Sequence, residues 1–245
     1  MTSGKIEGMD TLEHLITNYQ PSDAAIDLVR NTHITLLVGI SGAGKDTIKK
    51  RLLADSDYRD IISHTTRAPR SNNGVPEVAD VDYHFIDEAE ARRMVEGQEF
   101  IEAKYVHGTV YGTSVSELRQ SYDQRKIAIT DVDVQGVAEY KDLAQSVVAV
   151  FILPPNYSAW RQRLAARYAT LEEFEAEWPK RRDSAVAELT HALEVPYYHF
   201  IVNDELDEAV RIADEIAHHG DVFNRKDDEL RIRARDLLEA IKLSV

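Results

Sequence analysis

Ile-Thr-Leu-Leu-Val-Gly-Ile-Ser-Gly-Ala-Gly-Lys spans residues 34–45 of the chain. Its first five residues are apolar or β-branched, and their number suits one buried strand. A glycine-rich turn follows, and the segment that begins at Lys45 has helical spacing. A G-x-x-x-x-G-K match is meaningful in this order of strand, turn and helix, because the glycines let backbone N–H groups approach an anion. The stretch therefore predicts a phosphate-binding loop; the alternative is a glycine-rich turn without a ligand.

Asp46 follows the loop lysine, at a position where most such loops carry a serine or threonine that helps to hold magnesium. Thr47 comes one place later, and this Gly-Lys-x-Thr arrangement resembles that of nucleoside monophosphate kinases. A carboxylate beside a polyphosphate is unfavourable unless it points away or faces the metal. The predicted phosphate-contacting residues are Gly39, Ser41, Gly42, Ala43, Gly44, Lys45, Asp46 and Thr47.

The composition excludes several classes of protein. The chain has 245 residues, 43% of them hydrophobic, and this is enough for one large α/β domain with a sizeable core. The net charge of −14 argues against a nucleic-acid polymer as partner. The absence of cysteine excludes disulfides and thiol catalysis. The sequence lacks a membrane-spanning apolar run and a signal-peptide pattern, so we expect a cytosolic protein.

Strand-like and helical segments alternate along the chain, which predicts a mostly parallel sheet covered by helices on both faces. Ligands of such sheets bind at the carboxyl ends of the strands. We expect a short strand at Ile61–His64 and a charged segment, ending near Arg182, that separates two helices. Residues 1–31 and 220–245 are predicted to be helical extensions, which could pack on the core or form a homodimer interface.

Further motifs follow the phosphate loop in one order: Ser63-x-Thr-Thr-Arg67-x-Pro-Arg70, Asp82-Tyr83, Phe100-Ile-Glu102, Tyr111-Gly-Thr113, Asp131-x-Asp133-x-Gln-Gly136 and Val202-Asn203-Asp204. Together they closely resemble guanylate kinase over residues 33–217. The resemblance implies a three-layer P-loop NTPase fold at 32–219. It also implies a strand-rich GMP-binding subdomain at about 63–115 and a helical lid at about 163–182.

The resemblance assigns the GMP site to eight residues. The residues that hold its phosphate are Arg67, Arg70, Tyr83 and Tyr111, and those that contact guanine are Ser63, Glu102, Thr113 and Asp133. Two arginines around a proline suit a monophosphate, although either alone would be read as a solvated surface residue. A carboxylate can accept both the N1–H and the amino group of guanine. Asp133 could instead cap the helix that begins near Gln135.

The resemblance also implies the ATP side of the site. Asp131 ends a buried strand and resembles the carboxylate that holds Mg²⁺, directly or through water, with Thr47 as a second candidate ligand. Arg163, Arg167 and Arg181 resemble the arginines that reach ATP and the transferring phosphoryl group, and Asn203 matches the adenine-side loop. Arg182 is an alternative to Arg181, and a solvated charged helix face is the competing interpretation of this stretch. The histidines are scattered without metal-ligand spacing.

The implied reaction is direct in-line transfer of the γ-phosphoryl group from Mg-ATP to GMP and dGMP, with Lys45 and the lid arginines as catalytic residues. Two alternatives stay open. Asp46 resembles the corresponding residue of ribose 1,5-bisphosphate phosphokinase, which carries Gly-Lys-Asp-Ser. The second alternative is a non-catalytic guanylate-kinase-like domain that binds protein partners. Such domains usually lose the phosphate loop, whereas this chain retains it at residues 39–45.

Overall fold

The computed structural model describes residues 11–72, 75–219 and 227–244. Helices and strands alternate over most of this length. In chain order they are α1 (Leu12–Thr17), α2 (Asp23–Asn31), β1 (Ile34–Val38), α3 (Lys45–Leu52), β2 (Tyr58–Asp60), β3 (His64–Thr65), β4 (Ser71–Asn72), β5 (Val75–Pro76), β6 (His84–Phe85), α4 (Glu88–Glu96), β7 (Phe100–Val106), β8 (Thr109–Ser114), α5 (Val115–Gln124), β9 (Ile127–Asp131), α6 (Val134–Leu143), β10 (Val148–Leu153), α7 (Tyr157–Ala165), α8 (Leu171–Glu194), β11 (Tyr198–Val202), α9 (Leu206–His219) and α10 (Asp227–Lys242). No helix in these ranges is long and apolar enough to cross a membrane.

The larger of two compact units contains residues 28–61 and the described residues from Arg119 onward. Its five-stranded sheet has the order β11-β10-β1-β9-β2, and every neighbouring pair is parallel. Both β1 and β10 are buried along their whole length, as expected for runs of apolar and β-branched residues. The register sets Leu37 of β1 opposite Asp131 of β9. The predicted mostly parallel sheet is confirmed.

The carboxyl-terminal helix α10 packs on α8 and β11 of the same unit. Its buried side chains are Ala234, Leu237, Leu238 and Ile241. Arg231 donates from Nη2 to the Val195 carbonyl at 2.8 Å, and its guanidinium lies 5.1 Å from the centre of the Phe200 ring. The described part of the carboxyl-terminal extension therefore contributes to the core of its own chain.

Two predicted segments were wrong. Of the predicted strand Ile61–His64, residues 61–63 are not a strand and only His64 is, as the first residue of β3. The strand that pairs with β9 is Tyr58–Asp60, in which Tyr58 is buried. The charged segment before Arg182 is helical, because α8 runs unbroken from its Thr170 cap through Pro179. Its charged sequence conceals two buried aromatic residues, Phe174 and Trp178, with ring centres 5.6 Å apart.

The smaller unit contains the described residues up to Asp27 together with residues 62–118. Its main sheet has the order β6-β3-β8-β7, and β4 pairs with β5 in a separate two-stranded sheet. Helix α1 packs on α4 and β7. The core of this unit comprises Leu12, Ile16, Ala91, Met94, Val95, Phe100 and Val110. Helix α1, which belongs to the predicted amino-terminal extension, thus shares its hydrophobic core with the strand-rich excursion.

Candidate active site

The phosphate loop, residues 39–45, connects the carboxyl end of β1 to the first residue of α3. Gly39 and Gly44 have φ angles of 141° and 97°, which side chains rarely permit. A Cβ on Gly39 would collide with the Ile152 carbonyl, and one on Gly44 would collide with the side chain of Asn203. The loop therefore requires glycine at both positions. Its end at the amino terminus of α3 supplies free N–H groups that suit a phosphate.

Lys45 lies in a cavity of about 340 Å³ beside the loop. Its ammonium donates to the carbonyl of Gly39. Burial lowers the pKa of Lys45, and the negative charges of Glu188, Asp131 and Asp46 counteract that effect. Glu188 belongs to α8, and burial raises the pKa of its carboxyl group. The cavity thus combines a partly desolvated cation with carboxylates, as a polyphosphate-binding site with a metal would require.

Asp131 lies in the same cavity and forms an ion pair with Lys49, one helical turn beyond Lys45. The distance from Lys49 Nζ to Asp131 Oδ1 is 2.9 Å, and the distance from Nζ to Asp60 Oδ1 is 3.3 Å. Burial alone would lower the pKa of Lys49, but the two carboxylates outweigh it and the pKa is raised. The strand-end carboxylate therefore has a charged ammonium as its partner.

Two arginines contact the loop region: Arg163 belongs to α7, and Arg167 lies between α7 and α8. Arg163 donates to the Asn203 carbonyl at 3.0 Å, and Arg167 donates to Ser41 Oγ at 3.1 Å. Both line a second cavity of about 340 Å³, together with Thr47 and Asn203. Asn203 in turn donates from Nδ2 to the Ala43 carbonyl at 2.9 Å, which ties it to the loop backbone.

Arg181 and Arg182 are the two candidates for the third predicted arginine, beside Arg163 and Arg167, and their surroundings differ. Arg181 lines the Lys45 cavity and donates from Nε to Tyr168 Oη at 2.9 Å. Arg182 donates to the Ser244 carbonyl at 3.0 Å and pairs with Asp183. Arg181, and not Arg182, therefore lines the cavity beside the phosphate loop.

The oxygen donors near the loop fit a magnesium ion. Asp46 and Asp131 line the Lys45 cavity, and Thr47 lines the neighbouring one. Carboxylate and hydroxyl oxygens suit Mg²⁺, which commonly uses one or two protein ligands and completes its shell with water and substrate phosphates. No group of three or more histidine, cysteine or acidic residues able to hold a metal occurs within the described ranges, so an all-protein metal cage is not present there.

In the smaller unit, Arg67 is held by a carboxylate that the sequence did not identify. Its Nη1 and Nη2 donate to Glu77 Oε2 and Oε1 at 2.6 Å and 3.0 Å, and its Nε donates to Tyr111 Oη at 3.1 Å. The guanidinium lies 5.1 Å from the centre of the Tyr83 ring. Arg70 is exposed, and its backbone N–H donates to Glu77 Oε2 at 2.7 Å. The structure thus brings Arg67, Tyr83 and Tyr111 together, and it ties the backbone of Arg70 to the Glu77 that holds Arg67.

The predicted guanine-contacting residues of the same unit lie on its sheet. Glu102 of β7 pairs with Thr113 of β8, directly after a register shift between Phe100 and Glu102. Such an irregularity re-aims a side chain, and here it sets a carboxylate beside the buried Thr113. Tyr19 braces this point, because its hydroxyl donates to the Phe100 carbonyl at 2.6 Å and accepts from the Phe100 N–H at 3.1 Å.

The other two predicted guanine-contacting residues, Ser63 and Asp133, do not lie on β7 or β8. Ser63 is half-buried, and its carbonyl accepts from the His84 N–H at 2.9 Å. Asp133 belongs to the larger unit and caps α6, since its Oδ1 accepts from the Gly136 N–H at 2.7 Å. The helix-cap alternative for Asp133 is therefore correct. Asp133 also lines the Lys45 cavity, so capping does not remove it from the site.

The largest of the three cavities described here, about 700 Å³, lies at the amino ends of β1 and β9, away from the phosphate loop. Its lining includes Arg30, His33, Arg125 and Lys126, and no predicted site residue. The phosphate loop and Asp131 lie at the carboxyl ends of the same strands, on the opposite side of the sheet from this cavity.

A strand, a glycine loop and a helix on a parallel sheet, with a carboxylate ending the adjacent strand, define a P-loop nucleotide-binding protein.

Known proteins identify the family. The profile of the guanylate kinase family matches residues 31–219. A guanylate kinase of Pseudomonas syringae pv. tomato is 38% identical over 188 residues, 71% of this chain and 83% of that protein. One of Clostridium perfringens strain 13 is 36% identical over 179 residues, 73% and 79% of the two chains. The crystal structure of guanylate kinase from Anaplasma phagocytophilum matches with a TM-score of 0.54 and 26% identity, covering 79% of this chain and 89% of that chain. The chain belongs to the guanylate kinase family and is an enzyme, a kinase.

Lys49, Glu77 and Glu188 were not predicted from the sequence. Only Lys49 left a usable signal, because residues four apart on a helix share a face and Lys49 is four residues beyond Lys45. Glu77 lies in a polar loop whose path the sequence does not reveal. Glu188 is one of many acidic residues of α8, and only the fold shows that it is partly buried beside the loop.

Proposed function

We propose that this enzyme transfers the γ-phosphoryl group of ATP to GMP and dGMP, giving ADP and the nucleoside diphosphate. The observation that carries the proposal is the intact phosphate loop, with Lys45 and Asp131 in one cavity, in a chain of the guanylate kinase family. The transferred group passes directly from one oxygen to another, so no side chain needs to form a covalent intermediate.

On the ATP side, we assign the loop backbone of residues 39–47 and Lys45 to the ATP phosphates. Lys45, Arg163, Arg167 and Arg181 would stabilise the negative charge of the transferring group, because cations fixed before the reaction need no reorganisation during it. Their present partners are neutral oxygens of Gly39, Asn203, Ser41 and Tyr168. A phosphate oxygen would replace such a partner with a charged acceptor, which forms a stronger hydrogen bond. Asn203 is assigned to the adenine side.

On the GMP side, we assign Arg67, Arg70, Tyr83 and Tyr111 to the phosphate. Arg70 is the exposed cation of this set, whereas Glu77 and Tyr111 hold Arg67 in one orientation. We assign Ser63, Glu102, Thr113 and Asp133 to guanine. The adjacent side chains of Glu102 and Thr113 offer a carboxylate and a hydroxyl, and guanine presents two neighbouring donors to such a carboxylate.

We assign Mg²⁺ to Asp131 and Thr47, directly or through water. A bound ion would neutralise charge on the phosphates during transfer. The residues of this chain have a separate task, which is to hold the donor and acceptor phosphates in line and to exclude water. A homodimer and a cytosolic location stay predictions.

The runner-up reaction, phosphorylation of ribose 1,5-bisphosphate, rested on Asp46, and the family match does not favour it. Nor does that match favour a non-catalytic binding domain. Formation of ADP from Mg-ATP should be measured with GMP, dGMP, AMP, CMP, UMP and ribose 1,5-bisphosphate offered separately. We expect turnover with GMP and dGMP, and its loss in Lys45→Ala without a change in melting temperature. Formation of ADP with ribose 1,5-bisphosphate alone, or with none of the acceptors, would overturn the proposal.

A further inference from the structure

The ammonium of Lys49 joins two carboxylates that end neighbouring strands of the sheet. Asp60 is the last residue of β2 and Asp131 is the last residue of β9, and the two strands are paired in parallel. Lys49 reaches both from α3, at 3.3 Å and 2.9 Å. The side-chain exposures are 19% for Lys49, 27% for Asp60 and 38% for Asp131. The pairing is therefore shielded from water on the Lys49 side and more open at Asp131.

Donor and acceptor counts show what this arrangement leaves available. An ammonium has three N–H donors, and two of those of Lys49 have carboxylate partners. The contact with Asp131 is made by Oδ1. A carboxylate has a second oxygen with its own lone pairs, so Asp131 keeps an acceptor for a metal ion or a metal-bound water.

The charges also differ from the usual composition of the loop. Asp46 replaces the customary hydroxyl and lines the same cavity as Asp131. Asp133 and Glu188 line that cavity as well, and Asp60 adds a fifth carboxylate nearby. So many carboxylates near a polyphosphate would repel it and one another. Lys49 offsets part of that repulsion and binds one oxygen of Asp131.

We propose that Lys49 is a positioning residue, which holds the Asp131 carboxylate in the orientation needed for the metal–nucleotide complex, with Asp60 as its anchor. The inference rests on the proposed function for the identity of the nucleotide. Lys49 acts through Asp131 and does not itself touch the substrate. Groups that orient a metal ligand commonly change metal affinity by roughly 10–100-fold when they are removed.

The test is calorimetric binding of ADP, once with Mg²⁺ and once with EDTA, which needs no GMP and no turnover. The ratio of the two dissociation constants measures the gain in affinity that the metal provides. We expect Lys49→Met to reduce this gain by roughly tenfold, and Lys49→Arg to restore most of it. Lys50→Met is the matched control, since Lys50 is the adjacent exposed lysine of the same helix, and it should retain the wild-type gain.

A double-mutant cycle separates positioning from a merely structural effect. Asp131→Asn should itself abolish most of the gain, and adding Lys49→Met to it should change nothing further. If Lys49→Met alone unfolds, Lys49→Met/Asp60→Asn removes the ammonium together with its anchor and keeps the experiment possible. An unchanged or increased gain in Lys49→Met, or an equal loss on the Asp131→Asn background, would overturn the proposal. If the wild-type enzyme did not phosphorylate GMP, the proposed function would be contradicted, but this binding test could still be carried out because it uses no GMP.

Discussion

Glu77 occupies two of the five N–H donors of Arg67, at 2.6 Å and 3.0 Å, and both side chains are nearly buried, with exposures of 11% and 9%. Tyr111 Oη and the Ala68 carbonyl accept from two more donors. One N–H of Arg67 is thus left for the phosphate that we assign to this site. The hydrogen bonds with Arg67 lower the pKa of Glu77, so its carboxylate is charged at neutral pH.

Glu77→Gln tests whether this pair prepares the site or competes with the substrate. An amide keeps the shape but loses the charge, so Arg67 and the loop that follows it should be held less firmly. We expect the free energy of unfolding to fall by about 1–3 kcal/mol, and KM for GMP to rise by roughly tenfold. Glu96→Gln, which changes an exposed pair with Arg92, is the control. A lower KM for GMP would mean that Glu77 merely blocks the phosphate site.

Glu102→Gln tests the base site. The amide cannot accept both donors of guanine as a carboxylate does, because its NH₂ group is itself a donor. We expect kcat/KM for GMP to decrease by an amount equivalent to about 1–3 kcal/mol, with unchanged affinity for ADP. Steady-state kinetics and calorimetry measure the two quantities, and exposed Glu88→Gln serves as the control. Equal losses for both nucleotides would show that Glu102 does not contact the base.

Tyr19→Phe tests the link between the amino-terminal segment and the strand that carries Glu102. The change removes two hydrogen bonds to the backbone of Phe100. Burial raises the pKa of Tyr19 to about 12, so the hydroxyl keeps its proton also in mildly alkaline buffer. We expect thermal and denaturant unfolding to show a loss of about 1–3 kcal/mol and KM for GMP to rise. Tyr122→Phe, at an exposed position, should change neither, and identical behaviour of the two variants would refute the link.

We expect His64 to make the stability of the smaller unit depend on pH. Burial, reinforced by the nearby His84, lowers the pKa of His64 from 6.5 to about 4, and its Nδ1 has no hydrogen-bond partner. Glu117, Glu90 and Asp80 act in the opposite direction without reversing the shift. Between these two pKa values the unfolded chain binds more protons than the folded one. Stability should therefore fall as the pH decreases through this window.

Replacing His64 by glutamine should make unfolding less sensitive to acid. Urea unfolding of wild type and His64→Gln, measured from pH 7.5 to about pH 4, should give curves whose free energies converge as the pH falls. Exposed His107→Gln should follow the wild type throughout. A constant difference between His64→Gln and wild type across the range would contradict the neutral state of His64.

Local rules were sufficient where one segment contained the whole signal. The strand Ile34–Val38, the glycine loop and the helix from Lys45 were all predictable, because burial, turn geometry and helix start depend there on adjacent residues. The caps of α4, Asp87 and Gly97, likewise depend on adjacent residues.

Tertiary packing decided the segments that the sequence did not reveal. Helix α8 continues through Pro179 because Phe174 and Trp178 are buried on one side of it, and Trp178 packs 5.4 Å from Trp160. Strand β2 depends on pairing with β9, a distant part of the chain. The partners of Arg67 and Asp131 likewise come from contacts that spacing alone does not specify. The resemblance to a known family predicted Arg67 and Asp131 as site residues, whereas only the fold shows that Glu77 and Lys49 hold their side chains.

Phosphorus NMR of the enzyme with Mg-ATP and GMP tests the central claim most directly, because it follows the fate of the transferred group. Phosphoryl transfer to GMP predicts that the signals of GDP and ADP appear in equal amounts, without inorganic phosphate, and that GDP and ADP regenerate GMP and ATP in reverse. Appearance of ADP and inorganic phosphate without GDP would contradict the account.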